Sequence, residues 1–238
     1  MKKDDFKKYL GWDIYTWGVG LQYIIDKLNS DFHISSSQKA LELGGNLGGL
    51  SVCLVNELKI NTVCSDVVLP EENVLRVHPE MSKNPLLSFD IVDGSDIKYA
   101  DNSFDIVIFK SVLGYVDDSR QHGPGRSEMH QQEFVDEIYR ILKPGGALCF
   151  LENSKASFLH SYARRKFVSW GKEWRYIKYD EMKKYLSKFS SVDMHSNGFF
   201  SAFIKRDRIK YLAYLFDNII KLFILPRHRY VIYGIATK

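Results

Sequence analysis

Ala40-Leu41-Glu42-Leu43-Gly44-Gly45-Asn46-Leu47-Gly48-Gly49-Leu50-Ser51 is the stretch on which the reading of this chain turns. Residues 40–43 form an apolar run interrupted only by Glu42, the pattern of a strand covered on both faces of a parallel sheet. Four glycines follow within six residues, and from Leu50 a helical pattern begins. Strand, glycine turn and helix in this order open a nucleotide-binding α/β unit. The backbone there must turn with positive φ and let a ligand approach with no Cβ in the way. Alone, a glycine turn is weak evidence, because turns that hold no ligand use the same residues.

Working outward, strand one covers 39–44, a first helix 48–58, and strand two 60–65 ends at Asp66. The interval from Gly44 to Asp66 matches the place of an acid that grips ribose hydroxyls, although a loop or helix-capping Asp would read the same. Pro70, Pro79 and Pro85 exclude a long helix over 70–85. Strand three spans 87–92 and turns at Asp93-Gly94-Ser95. Strand four, 104–109, is continuously apolar and runs into Lys110-Ser111. Phe134, Val135, Ile138, Ile141 and Leu142 give a helical face that Pro144-Gly145-Gly146 ends. Strand five, 147–151, leads to Glu152-Asn153. The β-α alternation predicts a parallel sheet with right-handed crossovers. A basic helical region (158–188), a strand near 191–195, a helix at 207–225 and a last strand at 229–236 complete the chain. At the other end, Leu21, Ile24, Ile25 and Leu28 follow helical spacing and belong to the core. Trp12 to Trp17 is less regular, and reads either as a helix packed on the sheet edge or as a lid over a ligand.

With 238 residues, 45% of them apolar, the chain can bury one sizeable core. Its net charge of +4 is unevenly spread. Residues 1–154 carry 15 Lys and Arg against 23 Asp and Glu, whereas residues 155–238 carry 18 against 6. The basic part suits a membrane surface, nucleic acid or a phosphorylated substrate, or is simply a solvated basic face. Cys53, Cys64 and Cys149 lie in apolar patterns without CxxC spacing, as buried free thiols of a reducing cytoplasm do. Residues 1–6 lead into no apolar stretch of a signal peptide, and no run is long enough to span a bilayer. The histidines show no metal-ligand spacing, so no metal is expected.

Leu41-Glu42-Leu43-Gly44-Gly45-Asn46, Asp66, Asp93-Gly94, Ala100-Asp101-Asn102-Ser103-Phe104-Asp105 and Leu142-Lys143-Pro144-Gly145-Gly146 together resemble the class I S-adenosylmethionine (SAM)-dependent methyltransferases. The last two motifs have no reason to occur in an NAD-binding protein. Asn46 stands where that family has a third spaced glycine, and Asn tolerates left-handed backbone better than most residues. Across nearly the whole chain, 12–17, 43–51, 167–176 and 230–234 are also similar to bacterial methyltransferases associated with cell-surface polysaccharide synthesis.

The resemblance implies a Rossmann-like, seven-stranded, mostly parallel sheet with helices on both faces and an antiparallel last strand. One domain over 1–238 would carry a helical lid (1–35) and helical insertions (155–188 and 205–228). Glu42 would face the methionine amino group of SAM. Gly44, Gly45, Asn46 and Gly48 would let the backbone approach it. Asp66 would hold the ribose, Asp93 and Gly94 the adenine, and Lys110 and Ser111 would line the methionine end. The expected reaction is O-methylation of a sugar on a nucleotide- or lipid-linked precursor. Alternatives are methylation of a membrane lipid or quinone, and SAM binding without turnover; nucleic acid is not an expected partner. A sugar hydroxyl benefits from a general base, for which His122, in the loop 117–128, is the first candidate and His130 the second. Either could equally be an ordinary surface histidine. Finally, residues 207–225 carry apolar residues at helical spacing flanked by cations. Such a segment is a core helix, a subunit contact, or a helix lying at the cytoplasmic membrane surface.

Overall fold

The computed structural model describes residues 3–32, 34–114, 127–167, 174–204 and 206–238. Seven strands form one sheet: β1 (Lys39–Leu43), β2 (Asn61–Asp66), β3 (Leu87–Ile91), β4 (Phe104–Lys110), β5 (Leu142–Asn153), β6 (Ser191–Asn197) and β7 (Val231–Thr237). Their order is β3-β2-β1-β4-β5-β7-β6. The first five pair in parallel, and β7 runs antiparallel to both β5 and β6. The sheet is the expected one, with the reversed strand placed between β5 and β6.

Among the described residues eight α-helices surround it: α1 (Lys3–Leu10), α2 (Ile14–Asp31), α3 (Gly49–Cys53), α4 (Glu71–Val77), α5 (Ser127–Ile141), α6 (Phe158–Phe167), α7 (Tyr179–Tyr185) and α8 (Asp207–Ile220). Strand periodicity splits the core into two layers. Ala147, Cys149 and Leu151 of β5 pack with Trp17, Leu21, Ile24 and Leu28 of α2, while Leu148 and Phe150 pack with Phe134 and Ile138 of α5 and Met182 of α7. All three cysteines are buried.

Several boundaries differ from the sequence expectation. The helix after the glycine turn changes at Leu54–Leu58 into a π-helical turn and ends at left-handed Lys59. Residues 142–146 do not form a free helix stop. α5 ends at Ile141, and Leu142 already pairs with Phe104; the register then shifts so that Ile106 meets Ala147. The Pro-Gly-Gly segment is a bulge inside β5, where Gly145 takes φ +77° and donates its N–H to the Lys238 carbonyl. The basic helical region divides into α6 and α7. α8 stops at Ile220 and β7 starts at Val231, both shorter than expected, because Arg229 donates to the carbonyls of Lys221 and Ile224 and ties the intervening turn to itself.

Candidate active site

The carboxyl edges of β1, β2, β4 and β5 and the turn after β3 border a cavity of about 1280 Å³. Ligands of open α/β sheets bind at this edge, outside the strand ends on either side of the point where strand order reverses, here between β1 and β4. Glu42, Gly44, Gly45, Asn46, Asp66, Asp93, Gly94, Lys110, Ser111 and His130 all line it. Gly48 does not. It caps α3 with φ +72°, and a Cβ on it would stand 2.7 Å from Val74, so it serves the turn and its packing. His122 lies outside the described residues.

The turn after β1 is held by the neighbouring strand. Gly45 donates to the Ser65 carbonyl at 2.8 Å, and Asn46, at φ +43°, donates its N–H to Asp66 Oδ2 at 2.9 Å. Asp66 Oδ1 also accepts the Val67 N–H, and Asp93 Oδ1 accepts both the N–H and the hydroxyl of Ser95. Each acid is therefore oriented by backbone at its strand end. Gly44, at φ +68°, could not carry a Cβ, which would lie 2.4 Å from Val112 Cγ2. Below Gly94 the Phe134 ring is so close that a Cβ there would meet it at 2.5 Å.

Two buried carboxyls act on the Lys110 ammonium, and of the two Glu42 lines the cavity while Glu152 does not. Glu42 Oε2 accepts the Ser51 N–H at 2.8 Å and the Ser51 hydroxyl at 2.5 Å. Burial pushes its pKa up to about 7, against the lowering effect of Ser51 and Lys110. Glu152, at the end of β5, is equally buried, and burial likewise pushes it up to about 7. Its Oε2 accepts the N–H groups of Val112 and Leu113, both at 2.9 Å, and so fixes the turn in which Ser111 adopts φ +54°. Asn153 donates to Ser111 Oγ at 3.0 Å. Burial lowers the Lys110 pKa, while Glu42 and Glu152 both oppose that. The Lys110 ammonium sits 5.6 Å from the ring of Trp12 and 5.4 Å from that of Trp17. Trp17 is buried, whereas Trp12 is half exposed and lines the cavity. Thus the Trp12–Trp17 segment is both packed on the sheet and placed at the cavity rim.

His130 lies on α5 at the cavity wall, with Nδ1 3.1 Å from Glu133 Oε2. Trp174 closes another part of the wall and packs on Gly114, where any Cβ would overlap its indole. Sequence reasoning gave no role to Glu152, Asn153 or Val112. Glu152 did carry a signal: like Glu42, it is a lone acid where an apolar parallel strand reaches its carboxyl end. Among the described residues no cluster of His, Cys, Asp and Glu could hold a metal ion.

Residues 41–150 match the family described as "Methyltransferase domain". That stretch, under half of the chain, is thus similar to a methyltransferase domain. Among known proteins the chain is similar to the ubiquinone/menaquinone biosynthesis C-methyltransferase UbiE of Neisseria meningitidis serogroup C, with 26% identity over 129 residues. That match takes in 52% of this chain and 46% of the relative, so the chain spans under half the length of the curated relatives it matches. In fold it is similar to MccD protein (16% identical, TM-score 0.63, covering 92% of this chain and 98% of that one). It is similar also to Haemonchus contortus phosphoethanolamine N-methyltransferase 2, solved with phosphomonomethylethanolamine and S-adenosylhomocysteine (18% identical, TM-score 0.62, 93% of this chain and 52% of that one).

Proposed function

We propose that this chain binds SAM in the cavity at the strand ends and directs its methyl group onto a small-molecule acceptor. The observation that carries this reading is that the Glu42 carboxyl, held by Ser51, and the Lys110 ammonium line one cavity at the strand ends, with the buried Glu152 carboxyl also acting on Lys110. With both carboxyls ionised, the trio is one charge negative. SAM carries an ammonium, a sulfonium and a carboxylate, one charge positive, so the two are complementary. Bound there, the cofactor supplies a methyl group on sulfonium sulfur, ready for in-line displacement. Glu42 receives the ammonium, and Lys110 with Ser111 lines the methionine end. Asp66 would accept from the ribose hydroxyls, and Asp93 and Gly94 would hold the adenine. Trp12 and Trp17, over Lys110, lower the local dielectric and strengthen these charge interactions. Orientation of acceptor against methyl supplies much of the rate.

The acceptor we favour is a hydroxyl of a saccharide precursor, nucleotide- or lipid-linked, met at the cytoplasmic face of a membrane. The support is the sequence likeness over 12–17, 167–176 and 230–234, together with His130, whose imidazole Glu133 orients at the cavity wall. A second reading, methylation at carbon of a quinone, is favoured by the likeness to the Neisseria C-methyltransferase. Labelled SAM incubated with the chain and separate panels of saccharide precursors and quinones tests both. Methyl transfer to a sugar supports the first reading, and transfer to a quinone replaces it with the second. SAM binding with no transfer to either panel leaves a binding protein, and no SAM binding by titration calorimetry overturns the whole assignment.

A further inference from the structure

α8 is built inside out. Asp217, a buried acid of this helix, accepts the N–H groups of Phe199, Phe200 and Ser201 and the Ser201 hydroxyl, at 2.6–3.1 Å. On the same side, Lys210 reaches Asp13 at 3.6 Å. These contacts fix the rotation of the helix, so that the polar side faces the protein. Ile209, Leu212, Phe216 and Ile219, one stripe of the helix at i, i+3, i+7 and i+10, are left exposed. Leu222 and Phe223, in the turn beyond, are 86% and 87% exposed. The apolar surface continues over the 3₁₀ turn Phe200–Phe203, whose Phe200 meets Phe216 at 5.6 Å between centroids. From there it reaches α6, where His160 contacts Phe203 and the terminal residues Phe158 and Phe167 are exposed.

Exposed apolar surface of this extent marks an interaction face. The charge around it selects the occupant. Residues 198–229 contain seven Lys and Arg and only two acids, one of them the buried Asp217. Arg206, Arg208, Lys221 and Arg227 are exposed and make no ion pair among the described residues. A second copy apposed here would bring these cations against themselves. A bilayer with anionic headgroups accepts both the apolar stripe and the cations that rim it.

We propose that α8, with the turn at 200–203 and the ends of α6, seats this protein on an anionic lipid surface. Leu222 and Phe223 enter the headgroup layer, and Arg206, Arg208, Lys221 and Arg227 face lipid phosphates. No helix among the described residues is long and apolar enough to cross a membrane, so the contact is peripheral. It also lies next to the site: Tyr15 meets Tyr211 of α8 at 5.1 Å between ring centroids, and Asp13 pairs with Lys210 and accepts from the Tyr230 hydroxyl. A seated α8 therefore holds the segment that begins with Trp12 at the cavity rim.

The test is flotation of the full chain with vesicles of phosphatidylcholine containing phosphatidylglycerol, and with phosphatidylcholine alone. The protein should float with the anionic vesicles at low salt and lose most of that binding at high salt. Leu222→Asp with Phe223→Asp, and separately Arg206→Glu with Arg208→Glu, should each weaken partitioning at least tenfold while leaving the melting temperature in place. No flotation overturns the proposal, as does flotation that both double variants retain. A dimer by light scattering that the Leu222→Asp, Phe223→Asp variant dissociates, without flotation, assigns the face to a second copy instead. None of these outcomes depends on SAM binding, which calorimetry on the same preparations reads independently.

Discussion

Replacing Glu42 with Gln tests the charge logic of the site with little change of shape. The amide oxygen can still accept the Ser51 N–H that Glu42 Oε2 accepts at 2.8 Å, but the negative charge beside Lys110 is gone. A hydrogen bond to a charged partner contributes ~1.5–3 kcal/mol. Its loss should raise the Kd for S-adenosylhomocysteine, which keeps the ammonium, by about 10- to 150-fold at pH ~8. The pH dependence is the sharper readout. Burial raises the Glu42 carboxyl from 4.5 to about 7, so below that pH the site holds a proton that an incoming ammonium must displace. Wild-type affinity should therefore rise with pH up to about 7 and level off above it, with proton release on binding in the lower range. E42Q should show a shallower rise, from Glu152 alone. For the ligand-free fold the sign is opposite. A raised carboxyl pKa means that stability, fully present below 4.5, is lost as pH climbs to about 7. E42Q should thus melt at pH ~8 no lower than the wild type. Titration calorimetry at pH ~6, ~7 and ~8 in buffers of different ionisation enthalpy measures both affinity and proton release. Equal affinity at pH ~8 and an unchanged pH slope in E42Q would refute the role of Glu42 as the acceptor of the ligand's ammonium.

Asp66→Ala should weaken S-adenosylhomocysteine binding by ~1–3 kcal/mol, since it removes both the proposed ribose acceptor and the anchor of the Asn46 N–H; calorimetry reads it. Gly49→Ala places a Cβ 2.0 Å from the Tyr9 carbonyl oxygen, so α1 must shift, and urea unfolding should register a loss of ~1–3 kcal/mol. Asp217→Ala strands the N–H groups of Phe199, Phe200 and Ser201 and should cost at least ~2 kcal/mol by the same measurement, with Asp217→Asn recovering part of it. If one histidine is the general base, then His122→Ala or His130→Ala should lower kcat by ~10²-fold with cofactor affinity unchanged, and full turnover on the true acceptor removes that histidine from the mechanism.

The sheet was legible in the chain because its signals are local. Apolar runs such as 104–109, the turn at 93–95 and the glycine-rich stretch at 44–49 depend on near neighbours and on which backbone angles each residue tolerates. The acids at the ends of β1, β2 and β3 were legible for the same reason, since a strand's end is marked in sequence. The Leu142–Gly146 segment shows where local reading stops. Its Pro-Gly-Gly pattern reads as a helix stop, yet the Lys238 carbonyl and Phe104 draw it into β5 as a bulge.

What the sequence by itself determined is the parallel core and the residues of the glycine turn, while the closing antiparallel strand came from the family resemblance. Only the tertiary structure brought Trp12, Glu42, Lys110 and Glu152, from four distant segments, around one buried charge. Only it decided the fate of α8. Its apolar periodicity suits a core helix, a subunit contact and a membrane face alike, because a hydrophobic stripe says nothing of which way the helix is turned. Asp217 settles the rotation by burying itself under three N–H groups, since a buried carboxylate must find donors and an exposed leucine need not find anything.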